Sequence, residues 1–396
     1  MLEWFCPPQL YEAIEGDLME QFERDHLRFG QRMASLLLLL NVISFFRPGI
    51  VLRNKIKMRT INASMTENYL KVALRNIQKR KLYALINAFG LSIGIAFCGL
   101  IYLYILDEAS FDQWHSNKGL IYRVEERSFD TWQQDPAQPY RQSAWVQAAL
   151  MEAMQSDLPE VQYATRFNAD YHGIFRYQDK AFTEKITFVD SGFFRMFSFR
   201  VLNGNPEKFF RTTEEVILTP AVVDKYFGDA DPVGKLVRID CEGDRSYLVA
   251  GVVEAPPANS SLNFEILLPQ QNRPHFASQV KQWGNFSTPT FVQLYPKATL
   301  QSLSLNMEKL TKKYMGDKLE KWKKESAIPV PEGVKMLEYR FTPLAEMHLK
   351  KEVSWHKVSD PQYSYILGAI AALILVIACI NYISLALTTS TARRIS

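Results

Sequence analysis

The sequence predicts a membrane protein with two transmembrane α-helices flanking a large α+β extracytoplasmic domain and a small helical cytoplasmic domain at the N-terminus. Three observations carry this. Leu82 to Leu106 and Tyr363 to Leu387 each run for 25 residues without Asp, Glu, Lys or Arg. Each is about 37 Å of helix at 1.5 Å per residue, against a hydrocarbon core of about 30 Å. Charge is then asymmetric across the first run. Arg47 to Lys81 holds ten basic residues and the single acid Glu67, whereas Asp107, Glu108 and Asp112 follow the run with no basic residue before Lys118. Finally, the 256 residues from 107 to 362 mix both hydrophobic periods and are enough to bury a core of their own.

Composition sets outer limits. At 396 residues, 47% hydrophobic, 22% charged and net charge +4, the chain is neither disordered, collagen-like nor a small disulfide scaffold. Of Cys6, Cys98, Cys241 and Cys379, only Cys241 falls between the two apolar runs, so no disulfide forms within that segment. There is no CxxC, and the six His residues are not paired at a ligand spacing.

Residues 1–60 read as a small helical cytoplasmic domain. Seven acids among residues 1–30 exclude a signal peptide. Residues 7–30 suit a helix, with Pro7 and Pro8 in its first turn and Leu10, Ile14, Leu18 and Phe22 along one face. Met33 to Phe46 is apolar for about 14 residues, short of spanning length. It reads as a buried or membrane-surface helix; a third span there would put the acidic N-terminus outside. Met65 is a candidate start for a shorter protein, with residues 1–64 as an appended module.

Residues 64–81 predict a basic amphipathic juxtamembrane helix. Ser64 and Glu67 open it at a capping-box spacing, and the Leu70, Ala73, Leu74, Ile77 stripe opposes Lys71, Arg75, Lys79 and Arg80. The basic flank puts the N-terminus in the cytoplasm, residues 82–106 across the membrane, 107–362 outside, 363–387 back across, and 388–396 in the cytoplasm. In the external segment, helices are expected at 143–157, 219–227 and 299–324. Strands are expected at 120–127, 174–177, 185–190, 215–219, 235–240, 246–253, 263–268, 290–295 and 335–342. The Lys-rich end of the last helix (Lys312 to Lys324) reads as a solvated face, not as a nucleic-acid patch. No P-loop, HExxH or GxGxxG is present. The adjacent carboxylates Asp107/Glu108 and Glu214/Glu215 are not fixed in a cleft by anything in the sequence, so no catalysis and no cofactor or metal are expected.

Several motifs together resemble the permease subunits of FtsX/MacB-type ABC transporters. The resemblance begins at Asn68-Tyr69-Leu70-Lys71-Val72-Ala73-Leu74-Arg75-Asn76-Ile77 and continues through Val189-Asp190-Ser191-Gly192-Phe193-Phe194 and Leu202-Asn203-Gly204-Asn205-Pro206. Its most specific piece is Tyr226-Phe227-Gly228-Asp229-Ala230-Asp231-Pro232-Val233-Gly234-Lys235, followed by Val249-Ala250-Gly251-Val252-Val253. Pro343-Leu344-Ala345-Glu346-Met347-His348-Leu349 precedes the second span. The match covers about residues 66–396, and residues 1–60 resemble the prefix domain of some such permeases. Physically, Gly228 and Gly234 suit positive φ around an Asp231-Pro232 turn, and Gly251 suits a bulge or close backbone approach. These residues, with Tyr226 and Phe227, read as determinants of the fold.

The resemblance implies a MacB-like periplasmic core in a multi-pass protein of the bacterial inner membrane. Its partners would be a cytoplasmic ABC ATPase subunit, a second permease subunit (a homodimer or a missing C-terminal half) and the lipid bilayer. ATP-driven motion would pass through the spans to the external domain. Gly90 and Gly94 in one span, and Gly368 and Ala372 in the other, offer small faces for helix packing. Asn87 and Asn381 sit at similar depth and would join the two helices by hydrogen bonding. Such permeases have at least four spans, whereas this sequence stops at Ser396. A fragment, a truncated frame or half of a split permease is therefore expected. The other readings are an anchored extracytoplasmic binding or scaffold domain, a regulator of cell-wall hydrolases, and an inactive permease fragment.

Overall fold

A computed structural model describes residues 81–131, 139–353 and 358–392, together with helical residues at 19–20, 22–27, 71, 75 and 78. Most of the expected prefix domain, the 33–46 run and most of the 64–81 helix lie outside the described residues. The chain divides into two compact units, 1–89 and 90–396, and the second holds the fold described here.

Both apolar runs are helical. Helix α1 spans Lys81–Ser110 and α7 spans Pro361–Ala392. Within them, Ala88–Ser110 (23 residues) and Pro361–Ile380 (20 residues) are long and apolar enough to cross a membrane, and little of either is buried within the chain. The first helix outlasts the expected boundary at 106: Asp107 and Glu108 occupy its last turn, and the chain leaves helical geometry at Asp112, where φ is 56°. The two helices run antiparallel and touch. A Cβ on Gly94 would lie 3.5 Å from Ala378 Cβ, and one on Gly368 would lie 3.6 Å from Ile105 Cδ1. Between these contacts the Cys98 thiol donates to the Ala371 carbonyl at 3.2 Å.

The segment between the helices folds as a mixed sheet. In chain order its elements are β1 (Ile121–Phe129), β2 (Tyr140–Ser143), β3 (Trp145–Gln147), α2 (Leu150–Asp157), β4 (Val161–Tyr177), β5 (Lys180–Val189) and α3 (Phe193–Met196). Next come β6 (Val201–Gly204), β7 (Glu215–Leu218), α4 (Pro220–Tyr226), β8 (Leu236–Asp240), β9 (Asp244–Val253) and β10 (Ile266–Pro269). Then follow α5 (Phe276–Gln279), β11 (Phe286–Leu294), α6 (Leu300–Lys324) and β12 (Leu337–Pro343). The strand order is β12-β1-β11-β4-β5-β10-β7-β9-β6, with β2 on β1, β3 on β11, and β8 on β4 and β9. Pairing is antiparallel except for β5 with β10 and β7 with β9.

Three cores result. Helices α2 and α6 cover Val124, Val161, Val292 and Leu337 with Leu150, Met154, Leu303 and Met307. Helix α4 covers the β5, β7 and β9 end through Val222, Tyr226 and Phe227. An aromatic cluster of Phe167, Phe193, Phe197, Phe199, Phe264 and Phe291 forms the third core and is closed by Leu344, Met347 and Val353.

Two expectations need correction. The helix expected over 143–157 begins only at Leu150; Trp145 to Gln147 pairs with β11 and buries Val146 and Gln147. The strand expected at 174–177 is the tail of 17-residue β4. Its earlier part buries Thr165, Arg166 and Asn168 beside Ala164 and Phe167, so polar residues inside the core mask the alternation that reveals a strand.

Candidate functional site at the helix–domain junction

Where α1 ends and α7 begins, the chain builds a compact polar and aromatic joint. Helix α1 ends in Asp107-Glu108-Ala109-Ser110, and the next residues are Phe111, Asp112, Trp114 and His115. Strand β12 leads into a 3-10 turn, Leu344–Leu349, whose Leu344, Met347 and His348 are buried. The Phe111 and His348 rings stack with centroids 3.4 Å apart and planes 3° from parallel. His348 Nε2 lies 3.2 Å from Glu108 Oε2, and the His348 carbonyl accepts from Ser359 N–H at 2.7 Å. One residue thus touches the end of α1 and the approach to α7.

A second strand of contacts comes from the 256–262 loop. Asn259 Nδ2 donates to Ser110 Oγ at 2.9 Å, and Asp112 N–H donates to the Asn259 carbonyl at 3.0 Å. The Asp112 carboxylate accepts from Ser261 N–H at 2.9 Å. Asp112 is fully buried, and burial raises its pKa above the usual carboxylate value, with the Ser261 hydrogen bonds opposing. Its positive φ is one that Asp tolerates better than most residues.

His115 is fixed from the other side. Its Nδ1 accepts from Ser198 N–H at 3.1 Å, and its ring lies among Trp114, Phe197 and Phe199. Burial pushes its pKa down to about 4, so the ring is neutral near pH 7 and its remaining proton sits on Nε2.

The entry to α7 is capped. Asp360 Oδ1 accepts from Gln362 N–H at 2.9 Å, its Oδ2 meets Lys351 Nζ at 2.6 Å, and Pro361 takes the first helical position. Lys350 reaches back into the sheet, donating to Glu125 at 2.8 Å and to Thr342 Oγ1 at 2.6 Å. Burial alone would raise the Glu125 pKa, but Arg123 and Lys350 outweigh it and hold the carboxyl below its usual range. The joint therefore fastens both helix ends to one sheet through charged and stacked groups. Among the described residues no cluster of metal-ligating side chains is present.

The sequence motifs map to other places. Tyr226 is buried, with its hydroxyl 2.6 Å from Glu184, and Phe227 packs on Tyr177 at 4.2 Å. Gly228 and Gly234 have φ of 59° and 80°. The Asp231 carboxylate between them accepts from Asn203 Nδ2 and Val233 N–H, at 3.0 and 3.1 Å, and Lys235 N–H donates to the Pro232 carbonyl at 3.1 Å. A Cβ on Gly251 would fall 2.4 Å from Phe209 Cζ, and the β7–β9 register shifts beside it. Gly94 and Gly368 lie at the α1–α7 contact, whereas Gly90 has open space around it and Ala372 is exposed. The side chains of Asn87 and Asn381 lie outside the described ones.

Sequence reading passed over two things. Gly90-Leu91-Ser92-Ile93-Gly94 has the GxSxG spacing of a nucleophile elbow, but it lies within continuous helix, without the strand-to-helix turn that such a nucleophile requires. The joint residues Asp112, His115, Asn259 and His348 gave no signal as a group because they are spread over more than 230 positions. Only the placement of Asp112 and His348 beside the two apolar runs pointed to them.

The family description "MacB-like periplasmic core domain" matches residues 84–310, more than half of the chain. No curated protein matches. Among solved structures, a domain assigned to a permease protein of Porphyromonas gingivalis is 22% identical, covering 64% of this chain and 98% of its own, with a TM-score of 0.48. The extracellular domain of the noncanonic ABC-type transporter YknZ from Gram-positive bacteria is 15% identical, covering 56% and 99%, with a TM-score of 0.35. The periplasmic region of MacB from Actinobacillus actinomycetemcomitans is 15% identical, covering 55% and 87%, with a TM-score of 0.32. With the family match running from the first apolar helix to the middle of α6, the chain belongs to the FtsX/MacB-type ABC transporter permeases that carry a MacB-like periplasmic core domain.

Proposed function

We propose that the chain is a transmembrane permease subunit of an ABC-type exporter, relaying ATP-driven motion from a separate cytoplasmic ATPase to a domain outside the membrane. The joint supports this reading. Glu108, Phe111 and Asp112 on one side and His348 and Asp360 on the other fix both helix ends to one folded body, so a shift of either helix is passed on by direct contact. In this reading the basic segment before α1 is cytoplasmic and residues 107–362 are extracytoplasmic in the bacterial inner membrane. A second permease subunit packs on the exposed helix faces, including Gly90 and Ala372, and Asn87 and Asn381 contribute polar contacts between helices.

Two measurements test this. In a cysteine-free background, a membrane-impermeant maleimide added to intact spheroplasts labels Ser326→Cys and spares Gln78→Cys until the membrane is opened. The full chain also captures an ABC ATPase expressed from the same locus and changes its ATP turnover. Labelling of Gln78→Cys in sealed spheroplasts would overturn the orientation. Correct labelling with no ATPase capture would replace transport by an anchored external scaffold.

A further inference from the structure

At the C-terminal end of α6, remote in sequence from the joint, lies a cavity of about 360 Å³, near the lower end of the range for small-molecule sites. Its walls include Glu126, Asp130, Arg141, Phe286, Trp322 and Glu325. Of the three carboxylates, Asp130 meets the Arg141 guanidinium at 3.1 Å and Glu325 meets Lys321 Nζ at 3.7 Å.

Glu126 is the unusual member. It sits on β1 on the α6 side of the sheet, only 7% exposed, and forms no ion pair among the described residues. Its hydrogen bond comes from Ser128, two positions along the same strand, and burial raises its pKa, with that hydrogen bond and then the Arg141 charge opposing. A buried carboxylate without a cation costs stability, and Gln would fill the same space without that cost. Beside it stand two aromatic walls: the Phe286 and Trp322 rings are 6.3 Å apart at 38°. Aromatic faces attract organic cations and do little for a hydrated metal ion. Phe129 and Met336 are also in the lining.

We propose that this cavity binds a small organic cation, with Glu126 as its charge partner and the Trp322 and Phe286 rings as its walls.

The test uses the full chain in lipid nanodiscs, with tetramethylammonium and agmatine as probes and tert-butanol as a neutral analogue of the first. Calorimetric titration at pH 7.5 should show saturable binding of at least one cation and none of tert-butanol. Glu126→Gln should weaken that binding by about tenfold or more, and Trp322→Leu by roughly three- to tenfold. Glu320→Gln, an exposed change elsewhere on α6, should leave it unchanged. Glu126→Gln should also raise the melting temperature of the cation-free chain, a shift that a purely structural Glu126 would reverse. Equal binding by the wild type and Glu126→Gln, tert-butanol binding as tightly as tetramethylammonium, or no saturable binding of either cation would each overturn the proposal.

Discussion

The rings of Phe111 and His348 lie parallel with 3.4 Å between centroids, joining the residue just beyond α1 to the turn that leads into α7. The same imidazole reaches Glu108 through Nε2. His348→Ala removes both contacts and is expected to cost about 2 kcal/mol. His348→Phe keeps the stack and should recover about half of the loss. Denaturant titration of the solubilised chain, with all three variants compared, measures this. Equal stability of the alanine variant and the wild type would show that the stack joins nothing.

Acid should weaken the joint through His115. Its folded pKa of about 4 lies below the ordinary 6.5, so the unfolded chain binds the extra proton first. The stability that neutral His115 contributes is complete above about pH 6.5 and is lost as pH falls toward 4, by up to about 1.4 kcal/mol per pH unit. Asp112 runs the other way, because its raised pKa makes protonation favour the folded state as pH falls. His115→Asn keeps an acceptor for Ser198 N–H and cannot titrate. Its melting temperature should fall less between pH 7 and 4.5 than that of the wild type.

The Asp190 carboxylate grips Arg166 in two places, 2.9 Å to Nε and 2.6 Å to Nη2, and both side chains are buried. Asp190→Ala strands the guanidinium with Glu152 and the Ala148 carbonyl. The expected cost is about 3–5 kcal/mol, read as a lowered midpoint in urea. Asp130→Ala removes a partner of half-exposed Arg141 and should cost much less.

Two glycines separate contact from conformation. Gly251→Ala would put a Cβ 2.4 Å from Phe209 Cζ and 2.8 Å from the Asn203 carbonyl, so about 2 kcal/mol or more is expected. Gly228→Ala meets nothing within 4 Å and bears only the strain of positive φ, about 1 kcal/mol. Phe209→Leu should relieve part of the first loss and none of the second, as thermal melts of the double variants would report.

Helix packing can be read by cross-linking. The 3.5 Å from a Gly94 Cβ to Ala378 Cβ falls within the range a disulfide spans. In a background free of native cysteines, Gly94→Cys with Ala378→Cys should cross-link under mild oxidation. Gly90→Cys with Ala372→Cys should not form that intramolecular bond, and proteolysis between β4 and β5 followed by gel mobility distinguishes the two.

Much of this architecture was legible because its signals are local. The spans declare themselves by length without charge, and α6 does so by Leu303, Met307 and Leu310 at helical spacing behind a Thr299 cap. Strand β4 was hidden because Arg166 and Asn168 are satisfied inside the sheet by partners such as Asp190 and the Ser287 carbonyl, and such pairing is long-range information. The joint was hidden for the same reason. Asn259 reads as part of a Pro-rich turn until the fold brings it to Ser110, and His348 reads as one of several scattered imidazoles until it meets Phe111.

Strand β4 has one more consequence. Its residues up to Arg166 pair with β11 and those from Phe167 on with β5, and a register shift follows between Asn168 and Tyr171, where Asp170 has φ 64°. At about 3.3 Å per residue, 17 residues reach roughly 56 Å. The stretch that pairs with β11 and the stretch that pairs with β5 thus share one unbroken backbone, kinked where Asp170 takes positive φ. Hydrogen bonds along that strand resist stretching, while the kink yields to twisting. On the function proposed above, a push arriving at Phe111 and His348 would pass along this backbone and be turned at the interruption near Asp170, like the turn of a key.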